Sequence, residues 1–174
     1  MRTIATIFIV LGLLLAAAYV SGVFGPAEDR VAAATPEACY AAAVEAAAKP
    51  NPTNVPCDWK AVEAASPGAA LNGRYEAATA GISGRLVVME QAGKPARLAF
   101  STAGESPRYI CTAALEAIRE NDKLVARPAE VTGCEITLVS SATPDVVTVT
   151  STAACNALCN MRGSLSGDFR LMPH

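Results

Sequence analysis

From Leu71 onward the period changes: in a series of short runs apolar residues recur at every second position, which argues for a sheet. Residues 82–91 alternate Ile82, Gly84, Leu86 and Val88 against Ser83, Arg85, Val87 and Met89. After a turn at Ala92-Gly93, residues 94–102 return with Leu98 and Phe100 on one face and Arg97, Ala99 and Ser101 on the other. Residues 109–120 hold good helix formers, but Asn121-Asp122 and the run Lys123-Leu124-Val125-Ala126 complete a hairpin, which predicts a strand. Residues 134–139 and 146–151 are rich in β-branched side chains and are joined by a turn at Thr143-Pro144-Asp145. Strands over 73–79 and 163–171 open and close the series. About eight short strands at regular spacing predict a mainly β chain, an antiparallel β-sandwich or small barrel.

The region before this sheet reads differently. Thr35-Pro36-Glu37 offers a capping hydroxyl, Pro at the first helical position and an acid near the positive end of the helix dipole. The helix should run through Ala48 and stop at Lys49-Pro50, because the prolines at 50, 52 and 56 lack the donor a helix needs. A second short helix is predicted within 57–65, with a turn at Ser66-Pro67-Gly68. Residues 35–70 therefore form a helical hairpin segment, and 71–174 the β-domain.

Six cysteines stand at Cys39, Cys57, Cys111, Cys134, Cys155 and Cys159. Residues 3–24 ahead of them are uncharged and apolar, preceded by Arg2 and followed by Glu28 and Asp29. This is either a signal peptide, cleaved after Ala18 or Gly22, or a signal anchor that spans the membrane whole. Either way the charge asymmetry sends the remainder across the membrane. Residues 25–34 form an Ala-rich linker. An even cysteine count beyond an export signal reads as a disulfide framework in an oxidising compartment. Zinc is disfavoured, because only Cys155 and Cys159 are close and the sole His is His174.

Cys39 and Cys57 bracket the first helix and the Pro-rich turn, so they are natural partners. Two schemes remain for the other four. A local scheme joins Cys111 to Cys134 across the hairpin and Cys155 to Cys159 one helical turn apart. The rival scheme joins Cys134 to Cys155, brought together by the hairpin at Thr143-Pro144-Asp145, and Cys111 to Cys159.

The chain carries few signs of chemistry. Its net charge is −2, and every charged side chain except Arg2 lies beyond Phe24, so the β-domain gives no electrostatic case for nucleic acid. Gly163-Ser164-Leu165-Ser166-Gly167 places Leu165 where a nucleophile elbow needs Ser. Gly81-Ile82-Ser83-Gly84 is followed by no Lys-Ser/Thr pair and no helix, so it is a turn and not a phosphate loop. Glu116 and Glu120 read as a solvated face, and Trp59 as a cap on the core. No catalytic residue, cofactor or metal is expected.

The tail resembles small proteobacterial cell-envelope β-domains of the lysozyme-inhibitor-like kind. In these a C-x-x-x-C-G element precedes a Gly-x-aromatic last strand, matched here by Cys155, Cys159, Gly163, Gly167 and Phe169. Asn160 stands where that family has Gly after the second Cys. Ser166-Gly167-Asp168-Phe169 is similar to the S-G-x-Y loop that some lysozyme inhibitors insert into their target, with Phe in place of Tyr. The resemblance implies partner binding through Ser166, Gly167, Asp168 and Phe169, although the same residues also read as the start of the closing strand. The expectation is a non-catalytic envelope protein that binds a protein or glycan partner, or alternatively an inhibitor of a lysozyme or another cell-wall hydrolase. It would act on the periplasmic side, with membrane contact through residues 3–24 if the leader is retained.

Overall fold

Residues 35–47, 57–66, 68–104, 109–160 and 163–173 are described by a computed structural model. The apolar leader at 3–24 and the linker at 25–34 lie outside them. Among the described residues no helix is long and apolar enough to cross a membrane.

Two helices come first. In α1 (Pro36–Ala47) the Thr35 hydroxyl accepts from the Ala38 N–H at 3.2 Å, the cap anticipated from the sequence. In α2 (Trp59–Ala65) the Asp58 carboxylate accepts from the Ala61 N–H in the same way. The Cys39–Cys57 disulfide ties the two helices together.

Eight strands follow: β1 (Gly73–Ala77), β2 (Ser83–Met89), β3 (Ala96–Ala103), β4 (Ile110–Glu120), β5 (Lys123–Ala126), β6 (Ile136–Ser140), β7 (Val146–Ser151) and β8 (Gly167–Leu171). Each pairs antiparallel with the next, and β8 pairs with β1, so the sheet closes into a barrel. Closure removes the unpaired edges that an open sheet would present. Of the two architectures the sequence allows, this is the barrel.

An eight-stranded barrel is just wide enough for its inward side chains to fill it. Leu86, Leu98, Phe100, Leu138 and Phe169 are fully buried there. The rings of Phe100 and Phe169 meet edge to face with centroids 6.3 Å apart. Phe100 sits opposite Ala113 in the register, so a small residue makes room for a large one.

The outer wall is not uniformly polar. Val87, Met89 and Ala99 point outward, and the helices cover them with Cys39, Ala43, Ala46, Trp59 and Val62. Cys39, Ala43 and Ala46 form one stripe of α1 at helical spacing. This explains why Leu86 to Met89 is buried on both faces of β2.

The disulfides of the β-domain follow the rival scheme: Cys111–Cys159 and Cys134–Cys155. The local scheme fails for two physical reasons. Cys111 lies in β4 and Cys134 just before β6, with β5 between them. Two strand spacings come to about 9–10 Å, beyond the reach of a disulfide. Cys155 lies in a 3₁₀ turn (Ala153–Leu158) and Cys159 caps its end in extended conformation. At three residues per turn, positions four apart no longer share a face.

Candidate functional site

Strand directions divide the connections between two ends of the barrel. Residues 78–82, 104, 109, 127–135, 152–160 and 163–166 lie at one end, called here the cystine end. Residues 90–95, 121–122 and 141–145 lie at the other, the Glu90 end, together with the chain leading into β1.

At the cystine end the β7–β8 connection crosses the barrel mouth. Cys155 and Leu165 are each 1 % exposed, and Leu158 packs against the same core. Both disulfides of the β-domain hold this crossing. The Asn160 N–H donates to the Ile110 carbonyl at 2.8 Å, and the Thr102 hydroxyl to the Ser164 carbonyl at 2.9 Å. A Cβ at Gly163 would lie 2.5 Å from the Cys111 sulfur, so only glycine fits beside that bridge.

The four residues singled out by the resemblance lie here, fastened to the wall. Phe169 is 0 % exposed and fills the barrel, which corrects the expectation that it contacts a partner. The Ser166 hydroxyl accepts from the Ser151 N–H at 2.9 Å and lies 2.7 Å from the Ser151 hydroxyl. A Cβ at Gly167 would crowd the Thr79 hydroxyl, which accepts from the Asp168 N–H at 2.7 Å. Asp168 alone turns outward and is exposed, and its carboxylate accepts from the Thr148 hydroxyl at 2.7 Å.

The Glu90 end is built from charge. Glu90 continues the inward parity of Leu86 and Val88, and Arg119 that of Leu115 and Ala117, so both reach the mouth from inside. Arg119 Nε donates to Glu90 Oε2 at 2.8 Å, and its Nη2 donates to the same oxygen at 2.5 Å. Glu90 Oε1 accepts from the Leu71 N–H at 3.0 Å. The Tyr75 hydroxyl donates to the Leu71 carbonyl at 3.0 Å, and the Asn72 side chain exchanges hydrogen bonds with the Glu90 backbone. Burial pushes the Tyr75 phenol far above its ordinary pKa, with the Glu90 and Asp145 charges adding to it. The Glu90 residue is 8 % exposed, whereas the Arg119 side chain is 37 % exposed. The guanidinium is held from behind and open in front.

In front of it lies a cleft of about 410 Å³ walled by Gly68, Ala69, Gln91, Gly93, Lys94 and Arg119. That volume falls within the range of about 300–1,000 Å³ common for ligand sites. Two smaller clefts flank the same rim, one against α1 and one beside Thr143 and Asp145. The Gln91 amide donates to Glu37 at 2.6 Å and holds its carboxyl below the usual range, with lesser help from Glu37's own backbone, Lys94 and Arg97. Arg97 lies over the Tyr40 ring, 5.1 Å from its centroid.

On the outer side, Arg127 of the β5–β6 connection bridges Glu120 of β4 at 2.6 Å and Glu135 at 2.8 Å. Glu116 is exposed, and Trp59 is buried against the outer wall under the helices. All six cysteines are in disulfides. Among the described residues no group of His, Cys, Asp and Glu is placed to hold a metal ion. Comparison of the chain with protein-family models, curated proteins and solved structures finds no match.

Sequence reasoning missed Glu90 and Arg119. The available signal was parity: each is a charge at the inward position next after a run of apolar inward residues.

Proposed function

We propose that this chain is a non-catalytic protein of the periplasmic side of the cell envelope, anchored or released, that binds a protein or glycan partner through the Glu90 rim. The observation that carries the reading is the filled barrel. With Phe100, Phe169 and their neighbours occupying the interior, recognition falls to the outer surface, and the largest cleft described above opens at that rim. Three disulfides support an oxidising compartment.

In-cell photocrosslinking tests both halves. With a photoreactive residue at Gln91, we expect a discrete adduct that is absent when the residue is placed at Thr150 on the wall. The chain should fractionate with the envelope and its thiols should resist alkylation. A cytoplasmic, thiol-reactive chain, or equal adducts at both positions, would overturn the proposal.

A second reading, inhibition of a lysozyme or another cell-wall hydrolase, draws support from Asp168, an exposed carboxylate held on a disulfide-braced end. Asp168→Ala should then abolish inhibition while leaving the melting temperature nearly unchanged. No inhibition by the intact chain against several lysozyme types would end that reading.

A further inference from the structure

The ion pair at the mouth poses a question of economy. Replacing a buried ion pair by apolar side chains of similar volume is often neutral or stabilising. The cystine end shows that this barrel can be closed with Leu158 and Leu165. A carboxylate and a guanidinium at the opposite mouth therefore call for a role besides closure.

Their geometry supplies one. Both contacts of Arg119 to Glu90 use Nε and Nη2 and converge on one oxygen. Nη1 takes no part in that pair. The other carboxylate oxygen is fixed by the Leu71 backbone, so the fork that holds the guanidinium cannot swing. A guanidinium pinned along one edge, with its side chain more than a third exposed, is oriented before any ligand arrives. Such preorganisation lowers the cost of binding. Lys94 stands on the same cleft with its side chain 66 % exposed and its Nζ in a loose 3.8 Å contact with Glu37 of α1, so the cleft's own lining carries two cations against one carboxylate that is already engaged.

We infer that this cleft receives a carboxylate from an acidic peptide segment of the partner, with Arg119 as the oriented fork and Lys94, exposed and only loosely paired with Glu37, as a second cation. A planar guanidinium matches a carboxylate in shape as well as charge. The walls favour peptide over sugar. Gly68 and Gly93 are exposed and carry no side chain to bar an extended chain, and no aromatic ring among the described residues lines the cleft to stack on a sugar face. The inference rests on the proposed binding role and names the partner's chemistry.

The test is fluorescence polarisation of the full chain with a labelled short oligoglutamate, alongside oligoglutamine and oligogalacturonate of similar length. Oligoglutamate should bind, weaken as salt rises, and compete with unlabelled oligoglutamate. Oligoglutamine should not bind. Arg119→Gln should weaken binding about tenfold or more. That variant leaves Glu90 without its partner and endangers folding, so Lys94→Gln on the exposed rim serves as the second variant, with a several-fold loss at unchanged melting temperature. Equal binding of oligoglutamate and oligoglutamine, stronger binding of oligogalacturonate, or full affinity in a folded Lys94→Gln chain would overturn the inference. If the Gln91 crosslink persists while oligoglutamate fails, the peptide inference falls and the binding role stands.

Discussion

The two mouths of this barrel solve one problem by different means. Each must keep water from a core of Phe100, Phe169 and aliphatic side chains. At the cystine end the chain crosses the opening, buries Cys155 and Leu165, and is locked by two disulfides. At the Glu90 end a carboxylate, a guanidinium and a backbone N–H satisfy one another across the gap. The first solution gains stability by burying apolar surface and restricting the unfolded chain. The second gains little, because desolvation offsets much of the Coulomb attraction. It leaves a guanidinium in the mouth itself, where the first has disulfides and leucines. One end is closed by covalent bonds and apolar burial, the other by a charge pair that stays partly open to solvent.

Substitutions can break or sharpen that contrast. The largest effect is expected from Phe169→Ala, a truncation beside the cystine end that should cost about 3–5 kcal/mol in urea unfolding. A small loss would mean that the residue is not the core element its burial indicates. Next come the bridges. Removing Cys111–Cys159, which closes a separation of 48 residues, should cost about 4 kcal/mol, and removing Cys134–Cys155, with a separation of 21, about 3 kcal/mol on the chain-entropy relation. Cys→Ser pairs measured by chemical denaturation check both values and their order.

At the Glu90 end, Glu90→Gln should cost about 1–2 kcal/mol, discounted because Arg119 is partly exposed. The double change Glu90→Gln with Arg119→Met should recover most of that loss, since it removes both charges while the Gln amide oxygen still accepts from the Leu71 N–H. A double variant less stable than Glu90→Gln would erase the distinction drawn between the ends.

The smallest effect concerns the wall. Hydrogen bonding from Arg127 holds the Glu120 carboxyl below its ordinary range. A carboxyl depressed in the folded state contributes stability above its unfolded pKa and loses it as pH falls through the folded value. Wild type should therefore lose slightly more stability than Glu120→Gln on acidification below the ordinary carboxylate range, read as the difference in melting temperature. Identical pH profiles would remove Glu120 from the account.

The sequence carried the sheet well and its closures poorly. The strand at Ile110–Glu120 was legible despite its helix formers, because Cys111, Ala113, Leu115 and Ala117 keep period two and Asn121 supplies a turn residue. Asn121 adopts φ 57°, a left-handed conformation that Asn tolerates. The first helix was legible from Thr35 and Pro36. The pairing of Cys111 with Cys159 was not, because it depends on which segment crosses the mouth once eight strands have closed. That is a property of the ring and not of any neighbourhood in the chain. Glu90 and Arg119 are 29 residues apart, and only their parity connects them. Val87, Met89 and Ala99 held a signal that the reading of the sequence did not use: three apolar residues on the outward face of a sheet imply a cover. What covers them required the fold. For Phe169, a motif and a strand start were indistinguishable in sequence, and burial decided between them.

The crossed bridges also impose an order in time. A chain made from its N-terminus presents Cys39 and Cys57 together, so that pair can oxidise while the rest is still emerging. Cys111 and Cys134 follow, but the native partner of each lies further on, at Cys159 and Cys155. Throughout that interval they are neighbours in sequence with no correct partner available. An oxidant that acts early joins them to each other, and the ring cannot then be plugged until thiol exchange undoes the link. Refolding from the reduced chain should therefore recover the native bridges faster with a disulfide isomerase than with oxidant alone, because the two cysteines that arrive last set the pairing.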